Sequence, residues 1–375
     1  MTALGNEELR RVARQTLLPG LGVSGQEALH NAHVLVIGAG GLGCPVMQSL
    51  AATGVGEITV IDDDIVDFTN IHRQILFGAD DVGRPKVDAA AERLAQHQPG
   101  IVVNTINDRF TATNAIDLLA HVDLLIDGSD TFNTKFLAAD AAEATGTPLV
   151  WGTVLQYRGD VALWWSGHQG NRGVGLRDLY PTQPDPANAP DCATAGVLGV
   201  TTSVVGNLMA TEAIKFITGL SAGPQAGSLL MYNALTADVR HFQVEADPAR
   251  PLVTELFDDT PTANHVPMSD KGLLSSVQRG EAIAIDVREV GEKALSDLAL
   301  PADSVVHLPM SEWENDHALV EDALRTLSTS TAVVYCASGR RSRMFVDKFE
   351  QLARRHEIVL LSLPGGVNAH GDARK

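Results

Sequence analysis

Cysteine is scarce in this sequence and basic residues are outnumbered. Its 375 residues include three cysteines, Cys44, Cys192 and Cys336. Their odd number and wide spacing exclude a disulfide framework, and no C-x-x-C pair is present to build a cysteine zinc site. Sparse thiols suit a reducing compartment. Lysine and arginine number 28 against 46 acidic residues, a formal charge of −18. So acidic a surface repels phosphodiester backbones, which argues against nucleic acid as a partner. Small ligands are not excluded, because a pocket can be locally basic. No stretch of about 20 residues is continuously apolar. The nearest, residues 195–218, carries Thr201, Thr202, Ser203, Asn207, Glu212 and Lys215 and reads as a buried helix. The N-terminus shows no basic segment followed by an apolar one, so the expectation is a cytoplasmic protein with no signal peptide and no membrane span.

What is present is ordinary for folded domains: 45% hydrophobic and 20% charged residues, with a length that allows two or three domains. His33–Ile37 is a short apolar run of the buried-strand type, followed by Gly38-Ala-Gly40-Gly41-Leu-Gly43 and a helical pattern ending near Gly54. A second strand, Glu57–Ile61, ends at Asp62, completing a β-α-β unit. A helix is predicted over 85–98 with Pro85 at its first position. Strands are predicted at 101–104, 121–126, 149–151 and 161–165. This alternation predicts a doubly wound, mainly parallel α/β sheet. Residues 180–190 hold four prolines in eleven positions and predict a long surface loop leading to Cys192. Residues 246–266 are polar and aperiodic, a linker between a first domain (1–245) and a smaller α/β domain (267–375). That second domain has strand candidates at 282–286 and 332–335.

The glycine pattern between strand and helix fits an adenine nucleotide, its amides and helix dipole facing phosphate. Asp62, 19 residues after Gly43, is placed to accept from ribose hydroxyls. The turn alone does not separate NAD from ATP, nor a ligand from a purely structural role. Three cationic positions bear on that choice: Arg14, Arg73 within Asn70-x-x-Arg73-Gln74, and Lys86. Lys86 reads either as a phosphate ligand or as a solvated surface lysine. Asp130, at the end of a strand, reads either as a Mg²⁺ ligand beside a triphosphate or as the N-cap of the next helix. Together these groups suit nucleotidyl transfer better than hydride transfer.

The set Arg14-Gln15, Leu18-Pro-Gly20, the glycine loop, Asp62, Asn70-x-x-Arg73-Gln74, Lys86, Asp130 and Asp191-Cys192-Ala-x-x-Gly-Val-Leu-Gly199 resembles the MoeB/ThiF family, bacterial relatives of ubiquitin-activating E1 enzymes. The resemblance covers residues 8 to about 245 and implies a Rossmann-like, E1/ThiF-like fold. It implies ATP bound by Gly38, Gly40, Gly41, Gly43, Asp62, Asn70, Arg73, Lys86 and Thr131, and Mg²⁺ held by Asp130. It also implies a homodimer in which Arg14 reaches the other subunit's site, and an acceptor cysteine at Cys192. Many relatives carry two zinc-binding C-x-x-C pairs, which here fall near Gly175 and Asp178 and near Arg250 and Val253. No cysteine stands there, so no zinc is expected. Thr131 replaces a common Asn, and Tyr157-Arg-Gly-Asp160 replaces a more usual aromatic-Glu-Gly-Gln. The zinc-free pattern with Arg177-Asp-Leu-Tyr-Pro181 resembles the actinobacterial MoeZ type, which also ends in a rhodanese domain.

In the second domain Cys336-Ala337-Ser338-Gly339-Arg340-Arg341-Ser342 joins a strand to a helix. A thiolate at Cys336 gains from inward amides, the helix N-terminus and Arg340 or Arg341. The C-x-x-G-x-R-S pattern resembles rhodanese, as does Asp286-Val-Arg288, and implies a cysteine persulfide. The loop to Arg341 is one residue shorter than that of related phosphatases, which favours sulfur over phosphate. Cys44 reads as a structural core residue. The combined expectation is an adenylyltransferase joined to a sulfurtransferase. Its substrate would be a ubiquitin-like sulfur carrier of the MoaD, ThiS or CysO type ending in Gly-Gly. The sulfur donor would be thiosulfate or a cysteine desulfurase. In this reading Cys336 persulfide displaces AMP from the carrier adenylate and Cys192 resolves the acyl disulfide or forms a thioester. The alternatives are an enzyme that adenylates a short peptide, with the rhodanese domain for docking, and an NAD-linked oxidoreductase.

Overall fold

The computed structural model describes residues 4–184, 196–220, 226–256, 270–313, 316–337, 339–370 and 372–373. The chain divides into two compact units, Met1–Thr260 and Pro261–Lys375.

In the first unit, helices α1 (Asn6–Arg11) and α2 (Gly22–Asn31) precede β1 (His33–Ile37), α3 (Gly43–Thr53) and β2 (Glu57–Ile61). Next come α4 (Lys86–His97), β3 (Val102–Ile106), α5 (Ala112–Leu119), β4 (Leu124–Asp127), α6 (Phe132–Thr145), β5 (Leu149–Leu155) and β6 (Arg158–Trp164). The unit continues with α7 (Leu176–Leu179), α8 (Gly199–Thr218), β7 (Ser228–Asn233) and β8 (Asp238–Gln243). The sheet order is β3-β2-β1-β4-β5-β6-β7-β8. Strands β3 to β5 are parallel, and each pairing from β5 to β8 is antiparallel. The mainly parallel sheet agrees with the sequence reading; β7 and β8 are additions to it.

Alternation along the strands sends Val34, Val36, Ile58, Val60 and Ile126 into a core with α3, α4 and α8. Leu35, Ile37, Leu125, Trp151 and Trp164 enter a second core with α6 on the opposite face. A strand buried on both sides has no polar face, which explains the continuous apolar runs of β1 and β4. The order reverses between β1 and β4, the crevice where open α/β sheets bind ligands beyond the carboxyl ends of their strands. Among the described residues, no helix is long and apolar enough to cross a membrane.

The second unit contains α9 (Asp270–Gln278), β9 (Ile283–Asp286), α10 (Val290–Leu295), β10 (Ser296–Asp297), β11 (Val305–His307), α11 (Met310–Trp313) and α12 (His317–Thr326). It ends with β12 (Thr331–Tyr335), α13 (Arg340–Arg355), β13 (Val359–Ser362), α14 (Gly366–His370) and β14 (Asp372–Ala373). Its four-stranded parallel sheet has the order β11-β9-β12-β13.

Candidate functional site

After β1 the chain turns through Gly38, Ala39, Gly40, Gly41 and Leu42 into α3. Gly38 adopts φ +88°, a left-handed conformation that suits glycine. A Cβ on Gly43 would fall 1.8 Å from the Gly38 carbonyl oxygen, so the helix begins against the turn itself. Gly40 differs, because a Cβ there would meet nothing nearer than the Gln74 side chain at 3.9 Å. The turn hangs from Asp62, whose carboxylate accepts from the Ala39 N–H at 2.7 Å and from the Asp64 N–H at 2.8 Å. Burial pushes the Asp62 carboxyl up, while the Lys86 ammonium and these N–H groups pull it down.

Several predicted residues gather around this turn. The Arg73 stem stands 3.7 Å from the Cβ position of Gly41, beside Thr202. Its guanidinium donates to Thr69 O at 3.1 Å and contacts the His72 ring at 3.0 Å. Asn70 accepts from Gln74 Nε2 at 2.9 Å. The opposite end of that amide, Gln74 Oε1, is buried with no hydrogen-bond partner among the described residues, and it is the Nε2 end that stands beside the Gly40 turn. Lys86 is only 4% exposed, and its Nζ lies 2.8 Å from Asp64 Oδ2. The solvated-lysine reading is therefore overturned. Pro85 is the N-cap of α4 rather than its first residue, with ψ 133°.

On the β4 side, Gly128 packs against Gly38 and Gly43. Asp130 is exposed two residues further on, at the carboxyl edge. It does not cap α6; Thr131 does, its hydroxyl accepting from the Thr134 N–H at 3.2 Å. That cap engages the Thr131 side chain in the helix start. Lys135, which the sequence reading missed, is buried, with Nζ 2.6 Å from Gly152 O and 3.2 Å from Asp127 Oδ2. It shares the buried face of α6 with Phe136 and Ala139, a lysine within an apolar stripe, and that was the available signal.

Arg14 is exposed and does not join this cluster. Its neighbour Gln15 bonds to Thr53 O at the far end of α3, about 16 Å from the glycine turn for a helix of 11 residues. Cys192 lies outside the described residues. The segments on either side of it are anchored at the carboxyl edge. Gln183 bonds to Asn133 at the start of α6, and the Gln156 N–H donates to Gly196 O at 3.0 Å. Cys44 is fully buried, and burial pushes its thiol up to about 12, consistent with a core role.

The four positions at which relatives carry zinc cysteines do come together, around a guanidinium. Arg250 donates to Glu143 at 2.8 Å through both Nη atoms and to Asp178 at 2.9 and 3.0 Å. The Gly175 N–H donates to Asp178 at 2.8 Å and the Val253 N–H to Glu143 at 2.9 Å. A cation and two satisfied carboxylates do not fit a zinc ligand set. Residues 247–253 are thereby fastened to the first unit.

In the second unit Cys336 is fully buried, and its sulfur accepts from the Gly339 N–H at 3.1 Å. Ser342 Oγ lies 3.8 Å away. Gly339 has φ +89°. A Cβ on Gly366 would fall 2.1 Å from Cys336 O, so the loop closes tightly over the cysteine. Arg341 is buried and paired with Glu292 at 2.6 Å rather than with the sulfur. Ser338 and the Arg340 side chain lie outside the described residues. Arg288 grips Asp286 through Nε at 2.9 Å and Nη2 at 2.7 Å, reaches Asp297 at 2.7 Å, and stacks 5.4 Å over Tyr335. This buried network fixes the strand that delivers Cys336.

Known proteins resemble the chain throughout. The probable adenylyltransferase/sulfurtransferase MoeZ of Mycobacterium tuberculosis is 38% identical over 353 residues, covering 91% of this chain and 88% of the relative. The sulfur carrier protein adenylyltransferase of Thermus thermophilus is 45% identical over 247 residues, covering 66% of this chain and 91% of that protein. The adenylyltransferase and sulfurtransferase MOCS3 of Sus scrofa is 39% identical, covering 98% of this chain and 86% of its own. Among solved structures, PaaA superposes with a TM-score of 0.56 at 20% identity over 66% of this chain and 76% of PaaA. Escherichia coli MccB gives 0.54 at 22% identity over 62% and 70%. These last two speak to the fold alone. The ThiF family matches residues 12–252, which include the glycine turn and everything gathered around it, and the chain belongs to that family.

Proposed function

We propose that this enzyme adenylates the C-terminal carboxylate of a ubiquitin-like sulfur carrier and then converts it to a thiocarboxylate. The observation that carries the reading is the cluster at the β1/β4 switch point: an open glycine turn, a carboxylate at Asp62, and the cationic groups of Arg73 and Lys86. The glycine turn and helix N-terminus face phosphate, and Lys86 and Arg73 balance charge on the α-phosphate and the departing pyrophosphate. Asp130 would hold Mg²⁺, which neutralises triphosphate charge when bound. No zinc is invoked, because Arg250 fills the place it would need.

The carrier carboxylate attacks the α-phosphate and pyrophosphate leaves. A Cys336 persulfide, charged by thiosulfate or a desulfurase, attacks the acyl carbon and AMP leaves, giving an acyl disulfide. Thiol attack on that disulfide, assigned to Cys192, releases the thiocarboxylate and leaves a disulfide to be reduced. The Gly339 N–H directed at the Cys336 sulfur supports a persulfide at that position. We take the working form to be a cytoplasmic homodimer. The exposure of Arg14, and of Leu17 and Leu18 at 81% and 54%, supports a partner surface there. The test is carrier-dependent ATP–pyrophosphate exchange, with mass analysis of the carrier after addition of thiosulfate. Cys336→Ala is expected to keep exchange and abolish the 16-Da thiocarboxylate gain, roughly the oxygen-to-sulfur difference in a terminal carboxylate. Exchange that needs only a free peptide, or hydride transfer without ATP, would overturn the reading.

A further inference from the structure

Asp160 is a half-buried carboxylate without a hydrogen-bonding partner among the described residues. It lies in the middle of β6, paired in register with Thr153 of β5 and Met231 of β7. It shares its face of the strand with Ala162 and Trp164, which belong to the aromatic core of Trp151, Trp164 and Tyr180. It is half-buried, and no hydrogen bond or ion pair to it is formed among the described residues. Its charged neighbour Arg158 is exposed and does not reach bonding distance. Burial pushes its carboxyl up to about 6, with Arg158 pulling weakly the other way. A half-buried carboxylate with no protein donor keeps its acceptor capacity for use by a bound molecule.

Its position says what that use is. β4 ends at Asp127, which is in register with Trp151; Thr153 lies two residues past it and Asp160 opposite Thr153. Asp160 therefore stands beyond the carboxyl end of β4 and two strands across, about 10 Å from that edge of the nucleotide crevice. Tyr180, whose hydroxyl is pushed up by burial and further by the Asp160 charge, packs at a tilt against Trp151 and opens the segment toward Cys192. The far end of that segment bonds back to Gln156, on the turn just before β6. Asp160 thus faces the path between the nucleotide edge and both roots of the cysteine segment.

An unpaired carboxylate binds donors and rejects phosphate. Over its last two residues a chain ending in Gly-Gly offers no side chain, so its amide N–H groups are the only donors it carries there. Resting on the function proposed above, we propose that Asp160 is a specificity-determining residue whose carboxylate accepts hydrogen bonds from the amide N–H groups of the carrier's glycine tail, holding its terminal carboxylate toward the α-phosphate.

The test measures carrier-dependent exchange by the full-length enzyme. The probes are a recombinant carrier ending in Gly-Gly and two semisynthetic copies, N-methylated at the last or the penultimate glycine. For the unaltered enzyme, one methylation is expected to raise the carrier KM about tenfold or more. Asp160→Ala is expected to raise the KM for the unmodified carrier by a similar factor, to leave the KM for ATP within about twofold, and to lose discrimination between the carriers. Asp160→Asn, isosteric and still an acceptor, is expected to recover part of the loss, and it guards against misfolding of the alanine variant. Unchanged carrier KM in both variants, or undiminished discrimination by Asp160→Ala, overturns the assignment. Absence of exchange with any Gly-Gly carrier in the unaltered enzyme is a different failure, which removes the functional reading and this inference with it.

Discussion

Removing the Arg250 side chain tests how the end of the first unit is held. Arg250 is 11% exposed, and it joins Glu143 at 5% and Asp178 at 0%. Arg250→Ala leaves two buried carboxylates without their main counter-ion, and breaking a buried pair costs about 3–5 kcal/mol. Some compensation remains. Asp178 keeps Arg172 at 3.5 Å and the N–H groups of Gly175 and Asp247; Glu143 keeps the Val253 N–H. The expected loss is therefore near the lower end, about 3 kcal/mol, or roughly 6–12 °C in melting temperature for a unit of this size. Burial raises both carboxyls, but Arg250 and the N–H donors outweigh it and hold them below the usual carboxylate range. Folded values below unfolded ones stabilise above the unfolded pKa of about 4 and lose that contribution as pH falls through the folded values. The gap between parent and variant is thus full at neutral pH and narrows as pH falls below about 4. Trp151, Trp164 and Trp165 lie in the first unit and Trp313 alone in the second, so tryptophan fluorescence in urea reads the relevant transition. The triple variant Arg250→Met, Glu143→Gln, Asp178→Asn is expected to recover most of the loss. A midpoint within about 1 °C of the parent at pH 7, or a deficit that does not shrink as pH falls below about 4, would refute the reasoning.

Lys86→Ala is expected to cut ATP–pyrophosphate exchange by about 10²-fold or more, with carrier binding retained when followed by titration. Gly43→Ala is expected to abolish the folded first unit by circular dichroism, since its Cβ would meet the Gly38 carbonyl at 1.8 Å. Gly40→Ala has room, and is expected to keep the melting temperature while weakening ATP in a binding titration. Cys44 is expected to resist iodoacetamide at pH 8 in the folded enzyme and to react once urea exposes it, because burial holds it as a thiol up to about pH 12.

The nucleotide pocket was legible because its parts follow one another: strand, glycine turn, helix and a second strand tipped by Asp62 form one contiguous unit with its own period and punctuation. Lys86 could be found but not its environment, since burial depends on the return of the chain at Asp64. The Arg250 fork joins residues 107 and 72 positions apart, a contact that no local pattern announces. β8 escaped for another reason. All six of its residues are exposed, so it has no apolar alternation to read. Thr131 rather than Asp130 caps α6 because only the backbone angles decide which of two adjacent capping residues adopts the extended conformation.

The reversal of strand direction at β6 has a chemical consequence. In a wholly parallel sheet, every segment leaving the carboxyl edge is a loop that runs into a covering helix. Here the β5–β6 hairpin returns along the same edge, and residues 155–160 stand beside the crevice on a two-stranded ribbon whose turn, at Gln156, bonds to Leu198 at the start of α8. Substitutions on that ribbon can change which acceptor the enzyme takes, while the machinery for ATP, built on other strands, is left as it was.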